Sequence, residues 1–394
     1  MLPKGACPRL SVNRGHTPAS PEHVPQSLHD RFPSRASSAY SSAQTGKPAS
    51  GGTVTRTTRR WVLARHVEGA PAPEDFALET RPHPELQDGK FIAKVILSSV
   101  DPGMRSRLSG GDSYAGAMKI GEGVDGFCVA QVIESANPNY AVGDLIAAGG
   151  GWREHFVSDG RGYIQKITDR RVPLGCWIGV LGIPGMTAWF GLHRVAQAKA
   201  GETLLVTSAA GPVGATAGQI GRKLGMRVVG IAGGPLKCAW LKDIAGFDAV
   251  IDYKAEPDLA AAVRRVCPEG VDVLFDNVGN EMVDRILPLM KLRGRVVVSG
   301  QVADYNLPVA QRPGLKHTDV FITHRVRMEG LVVFDDLRQF HAAQAQMADW
   351  IADGALQFAI EEFDGLETAP EAFCGLFRGE NFGRRLVRLA PDPQ

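Results

Sequence analysis

Residues 203 to 218 read TLLVTSAAGPVGATAG, an apolar run that passes into a glycine turn and then a helix-forming segment. A strand-to-helix junction of this kind leaves N–H groups free in the first helical turn, and with the helix dipole they form an anion site suited to a pyrophosphate. In this reading Gly211 lets the chain turn sharply, Gly214 leaves room for phosphate, and Gly218 lets helix and strand pack closely. The spacing G-x-x-G-x-x-x-G departs from the commoner G-x-G-x-x-G fingerprint, and glycines at such a junction also serve as a plain tight connection. On its own the turn leaves both readings open.

The next strand bears on the choice of dinucleotide. Arg227 to Ala232 (RVVGIA) ends in Gly233-Gly234, where an NAD site carries a carboxylate for the ribose hydroxyls. Without that carboxylate nothing repels a ribose phosphate, and Lys237 follows at the start of the next helix, so NADP(H) is favoured over NAD(H). The alternative is that Lys237 is an ordinary solvated helix lysine.

At 394 residues, 44% hydrophobic and 22% charged, the chain is long enough for two domains with good cores. Its six cysteines are scattered with no C-x-x-C pair, which suggests neither a disulfide framework nor a structural zinc cluster and fits a reducing, cytoplasmic setting. Residues 1 to 60 hold nine Lys and Arg against Glu22 and Asp30, so the net charge of +2 hides a basic tail and a mildly acidic body. An acidic body argues against a nucleic-acid reader. The tail, rich in Ser, Pro, Gly, Thr and Ala without apolar periodicity, reads as disordered over 1–59. The uncharged stretch Leu174 to Leu192 is about as long as a membrane span, but its glycines and central Pro184 favour a buried loop and helix start between domains.

Two textures follow the tail. From about 60 to 177 short strands such as FIAKVILSSV and FCVAQVIES alternate with Gly, Pro and Asp turns, the pattern of a mostly antiparallel β unit. From 178 to 353 strand and helix alternate (TLLVTS, PVGATAGQIGRKLG, RVVGIA, KCAWLKDIAG, DAVIDY, LAAAVRRVC, VDVLFDN, MVDRILPLMK, GRVVVSG), which requires a doubly wound parallel sheet. A last strand–helix–strand run over 354–391 completes the first unit.

From Trp61 to Leu389 the chain resembles the medium-chain dehydrogenases/reductases of the zinc-independent branch, which holds the prostaglandin reductases, alkenal double-bond reductases and curcumin-reductase-like enzymes. The resemblance is carried in order by SVDPGMRSRL (99 to 108), YAVGD (140 to 144), LGIPGMTAWFGL (181 to 192), AAGPVGATAGQIGRKLG (209 to 225), FDNVGNE (275 to 281), GRVVVSGQVADYN (294 to 306), RMEGLVVFD (327 to 335) and FRGENFGRRLV (377 to 387). It implies a GroES-like β-rich domain beside a Rossmann domain, a homodimer, and NADP(H) as cofactor. Matching family positions for the cofactor are Thr187, the turn with Gly211, Val213 and Gly214, Asn277 and Asn381, with Lys237 and Tyr253 at the ribose phosphate. Tyr305 matches the tyrosine beside the nicotinamide and the substrate carbonyl. Plainer roles exist: Asn277 could cap the helix starting near Asn280, and Tyr305 could be an interface aromatic.

Zinc alcohol dehydrogenases carry a G-H-E motif where this chain has GEGVDG (121 to 126), and their four-cysteine loop is missing, so no metal is expected. What remains is reduction of an activated C=C bond, in which charge collects on the carbonyl oxygen of an enone or enal as an enolate. The Tyr305 hydroxyl suits that position, since a phenol with an ordinary pKa of about 10 stays protonated at neutral pH. The α-carbon proton then comes from Tyr305 or from water. Relatives commonly have Tyr in V-D-P-Y-M-R where this chain has Gly103, so the pocket is wider or differently shaped. The segment GGDSYAGAMKI (110 to 120) borders the pocket, where Tyr114 and Met118 either contact ligand or serve as plain packing. There is neither a G-x-S-x-G elbow nor a G-x-x-x-x-G-K-[ST] loop. Two alternatives stay open: a quinone reductase of the same superfamily, and an NADPH-binding protein without turnover.

Overall fold

The computed structural model describes residues 9–12, 56–111 and 116–393. Six parallel strands form the nucleotide-type sheet in the order Ala249–Asp252, Arg227–Ala232, Thr203–Val206, Val271–Asp276, Met290–Val298, Arg327–Gly330. Helices cover both faces of such a sheet, so its central strands must be apolar on both sides. Thr203–Val206 is accordingly buried at every position. The order reverses between Thr203–Val206 and Val271–Asp276, and ligands of open α/β sheets bind in the crevice at that switch point.

The other sheet is mainly antiparallel and built around Phe91–Ser99, buried everywhere except at Lys94. Cys128–Ser135, Leu145–Ala148 and Ile164–Lys166 extend it on one side, Arg384–Arg388 and Ala359–Asp364 on the other. The last two strands thus return the C-terminal run to the first lobe, with the helix Ala369–Phe377 between them. The chain therefore crosses the cleft twice, and one apolar cluster runs from Ile96 and Leu97 through Met186 and Phe275 to Leu386.

Three details refine the sequence reading. Within the tail, which its composition marks as unstructured, Arg9–Val12 pairs antiparallel with Ala359–Glu362 and occupies an otherwise open sheet edge; residues 1–8 and 13–55 lie outside the described residues. The segment MEGLVVF ends its strand at Gly330, and Val333–Gln339 winds as a 3-10 helix. Gly218 makes room for the ring of Phe247, which also lies against Gly230, so the close approach is mediated by that ring. The stretch 174–192 is a buried 3-10 turn, Leu174–Ile178, followed by the helix Ile183–Phe190. Among the described residues no helix is long and apolar enough to cross a membrane.

Candidate active site

Strand Thr203–Val206 leads into helix Pro212–Lys223, whose N-cap is Gly211 and whose first residue, Pro212, has no N–H to satisfy. The sharp turn is made at Ser208, with φ +49°, and not at Gly211, whose φ of −77° any residue adopts. Gly214 is required by space: a Cβ there would lie 2.6 Å from the Ser208 carbonyl oxygen and 2.8 Å from the Ala209 Cα. The helix start is thereby pressed onto the turn, with no side chain capping it. Val213, partly buried, lies in that first turn. An anionic pyrophosphate fits such an uncapped end.

At the end of strand Arg227–Ala232 the chain has room for a ribose edge. Gly234, φ +93°, caps helix Pro235–Asp243. A Cβ on Gly233 would meet the Tyr253 ring at 2.7 Å and the Lys254 Cε at 3.0 Å, so both side chains lie over a bare α-carbon. The nearby carboxylate is spent on the backbone, since Asp252 Oδ1 accepts from the Gly234 N–H (2.9 Å) and the Lys254 N–H (3.0 Å). Lys237 Nζ donates to the Gly379 carbonyl at 2.7 Å, across the cleft from its own helix. Burial first, and then the Lys254 ammonium, pull its pKa below the usual lysine range. Two neighbouring ammonium groups, one of them over a glycine edge, suit a ribose phosphate better than bare ribose hydroxyls. Lys254 was not singled out from sequence, although it adjoins Tyr253 in IDYK.

The inner end of the cleft is organised by a buried carboxylate. Asp276 is fully buried and accepts from Thr207 Oγ1 (2.7 Å), the Val278 N–H (3.2 Å) and the Gly279 N–H (3.0 Å). Burial pushes its pKa up to about 6 against the pull of those hydrogen bonds. Asn277 is tied to the same strand end: its N–H donates to Thr207 Oγ1 (2.9 Å) and its Nδ2 to the Thr207 carbonyl (2.8 Å). It does not cap the following helix Asn280–Ile286, whose N-cap is Gly279. Tyr305 closes a turn by donating its N–H to the Gln301 carbonyl at 3.1 Å. A Cβ on Gly300 would stand 3.4 Å from the Asn277 carbonyl oxygen and 3.7 Å from the Tyr305 hydroxyl, so both border one glycine gap at the ends of adjacent strands.

The C-terminal run supplies the opposite wall. The Gly383 N–H donates to the Ala210 carbonyl at 3.0 Å, which lays the segment with half-buried Asn381 against the glycine turn. Thr187 is buried on helix Ile183–Phe190 and its hydroxyl donates to the Ile183 carbonyl (2.8 Å). Arg384, also unremarked in the sequence, forms a buried ion pair with Asp101 and donates through Nε to the Ile178 carbonyl (2.8 Å). Among the described residues no atom lies within 4 Å of a Cβ built on Gly103. Met118 is core packing of the first lobe, and Tyr114 lies outside the described residues.

Among the described residues no three His, Cys, Asp or Glu side chains converge, and burial raises the Cys128 thiol to about 12. A dinucleotide fits this site, given the uncapped helix end, the glycine edge under Lys254 and Tyr253, and the gap at Gly300.

Comparison with known proteins agrees with this geometry. A family model described as the N-terminal domain of oxidoreductase matches residues 59–166, and one described as zinc-binding dehydrogenase matches 212–353. The chain is 39% identical to the NADPH-dependent curcumin reductase of Escherichia coli over 85% of its own length and 97% of the relative's. It is 37% identical to the NADP(+)-dependent 2-alkenal reductase of Nicotiana tabacum over 85% and 98%. CurA from Vibrio vulnificus, solved in complex with NADPH, superposes with a TM-score of 0.80 at 37% identity, covering 85% of this chain and all of that one. With this likeness along nearly the whole of each relative, the chain belongs to the NADP-dependent reductase branch of the medium-chain dehydrogenase/reductase family.

Proposed function

We propose that the protein is an NADPH-dependent reductase of the activated C=C bond of α,β-unsaturated ketones or aldehydes. In this reading Gly211, Val213 and Gly214 seat the pyrophosphate, while Lys237 and Tyr253 hold the ribose phosphate. Thr187, Asn277 and Asn381 contribute further contacts to the bound NADPH. When bound, NADPH supplies the hydride that adds to the β-carbon of the substrate. The chain's own part is to hold the two reacting carbons in contact and to stabilise the charge that collects on the carbonyl oxygen. Tyr305 donates a hydrogen bond to that oxygen, and the α-carbon takes its proton from Tyr305 or from water.

The observation that carries the reading is the placement of the Tyr305 hydroxyl beside Gly300 and Asn277, where the switch-point crevice opens. The test is steady-state NADPH oxidation with an aryl enone, a 2-alkenal and a quinone, run with wild type and Tyr305→Phe. Enone and enal turnover slowed by the substitution would uphold it. Turnover of the quinone alone, indifferent to Tyr305→Phe, would replace it with a quinone reductase.

The protein is further proposed to act in the cytoplasm as a homodimer on small-molecule substrates. The outer edge of strand Arg327–Gly330, unpaired among the described residues, supports the dimer, because such an edge is a ready site for a second copy. Light scattering of the purified protein tests this.

A further inference from the structure

We propose that Arg105 is a positioning residue that holds the Tyr305 turn in place across the cleft between the two lobes. This rests on the reading of Tyr305 as the donor to the substrate carbonyl. Arg105 belongs to the first lobe, at the start of the short helix Arg105–Leu108, two residues after Gly103. Its side chain is 4% exposed. Among the described residues no carboxylate pairs with it. Its Nη2 instead donates to the Val67 carbonyl (3.0 Å) and the Gly69 carbonyl (2.8 Å), and its Nε to the Gly69 carbonyl (3.2 Å) and to Asn306 Oδ1 (3.1 Å).

Such a charge is costly to bury and does not leave by deprotonation, so the carbonyl oxygens must compensate it. Only a planar fork reaches acceptors from three directions at once, which is why lysine is no equivalent. The Asn306 contact matters most, because it is the one that leaves the first lobe. Asn306 directly follows Tyr305. On the nucleotide side the same turn is rooted by Asp304, which is 2% exposed and whose carboxylate accepts the Asn280 N–H at 3.2 Å. Its carbonyl accepts the Leu307 N–H at 3.1 Å. Tyr305 therefore sits between two anchors, one on each lobe. The distance from its hydroxyl to anything held in the cleft depends on both. Arg105 acts through Asn306 and touches no reacting atom in this scheme.

The test is a double-mutant cycle in the full chain. Arg105→Lys and Asn306→Ala are each measured with Tyr305 present and in Tyr305→Phe, with NADPH affinity read separately from the quenching of protein fluorescence. Asn306 is half-buried, so Asn306→Ala keeps the question answerable if the buried Arg105→Lys does not fold. With Tyr305 present, each change is expected to lower kcat on an enone by about 10-fold, the scale of a misplaced reacting group, while NADPH affinity stays put. Asn306→Asp keeps an acceptor facing the guanidinium and is expected to recover most of that loss. In the Tyr305→Phe background the same changes are expected to cost less than about 2-fold, because there is no hydroxyl left to misplace. Equal losses in both backgrounds, or full activity in Asn306→Ala, would overturn the positioning role. Wild-type turnover by Tyr305→Phe itself would overturn the donor reading first, and the positioning role with it.

Discussion

Gly214→Ala is the substitution on which simple propensity and the observed packing disagree most. Alanine in a helix is favoured over glycine by about 1 kcal/mol, so propensity alone expects a more stable protein. The Cβ at this position, however, would lie 2.6 Å from the Ser208 carbonyl oxygen and 2.8 Å from the Ala209 Cα. Ordinary contact begins near 3.4 Å, which leaves deficits of about 0.8 and about 0.6 Å against the backbone of the 208–209 turn, and backbone cannot swing away. The helix start must lift from the turn, and overpacking of this kind costs about 1–3 kcal/mol. The same displacement would carry the helical N–H groups away from a pyrophosphate seated there as proposed. Losing one charge-assisted hydrogen bond, at about 1.5–3 kcal/mol, weakens NADPH binding roughly 10- to 150-fold. Gly221→Ala in the same helix is the control, since its Cβ would also meet an atom at 2.6 Å, but that atom is the Leu204 Cδ2, the movable end of a side chain. Urea unfolding and NADPH titration of the two variants should show Gly214→Ala impaired in both and Gly221→Ala near wild type in NADPH affinity. A Gly214→Ala protein that binds NADPH as tightly as wild type would refute the reasoning.

Three further expectations follow from the site. The folded pKa of Asp276, about 6, lies above its unfolded value near 3.9. Its contribution is therefore fully present below pH about 4 and lost as pH rises through about 6, so the stability of wild type relative to Asp276→Asn should fall by up to about 3 kcal/mol across that window. A flat difference in urea unfolding between pH 4 and 7 would contradict this. Asp101→Ala leaves the 4%-exposed Arg384 side chain without its counter-charge and should cost about 3 kcal/mol in the same assay, whereas a loss under about 0.5 kcal/mol would mean that the pair is idle. Lys237→Ala should weaken NADPH at least about 10-fold and leave NADH unchanged; equal weakening of both by titration would remove Lys237 from the ribose phosphate.

The architecture was legible because parallel strands covered on both faces read as short apolar runs, and helices alternate with them from Thr203 to Val298. The position of the glycine turn between strand and helix was legible for the same reason, but its mechanics were not. Whether Ser208 or Gly211 takes the left-handed conformation is decided by how the helix docks on the strand end, and spacing does not encode that. Gly218 had a reason to be small, yet the group it accommodates, the Phe247 ring, lies far along the chain. Arg105 and Arg384 were silent for a related reason, since their partners Asn306 and Asp101 are 201 and 283 positions away. Lys254 was overlooked although it adjoins Tyr253, because a lysine next to a strand end reads as solvent-facing until a glycine edge is seen beneath it. The strand at Arg9–Val12 is four residues in a tail of disordered composition, and only the open edge at Ala359–Glu362 gives it a partner.

The decisive measurement is the structure of the product formed from NADPH and an α,β-unsaturated ketone, determined by NMR after turnover in deuterated water. Hydride delivery to the β-carbon with protonation at the α-carbon should give the saturated ketone, its carbonyl intact, with solvent deuterium at the α-carbon and none at the β-carbon. An allylic alcohol, or NADPH bound without any product, would contradict the assignment of this site to C=C reduction.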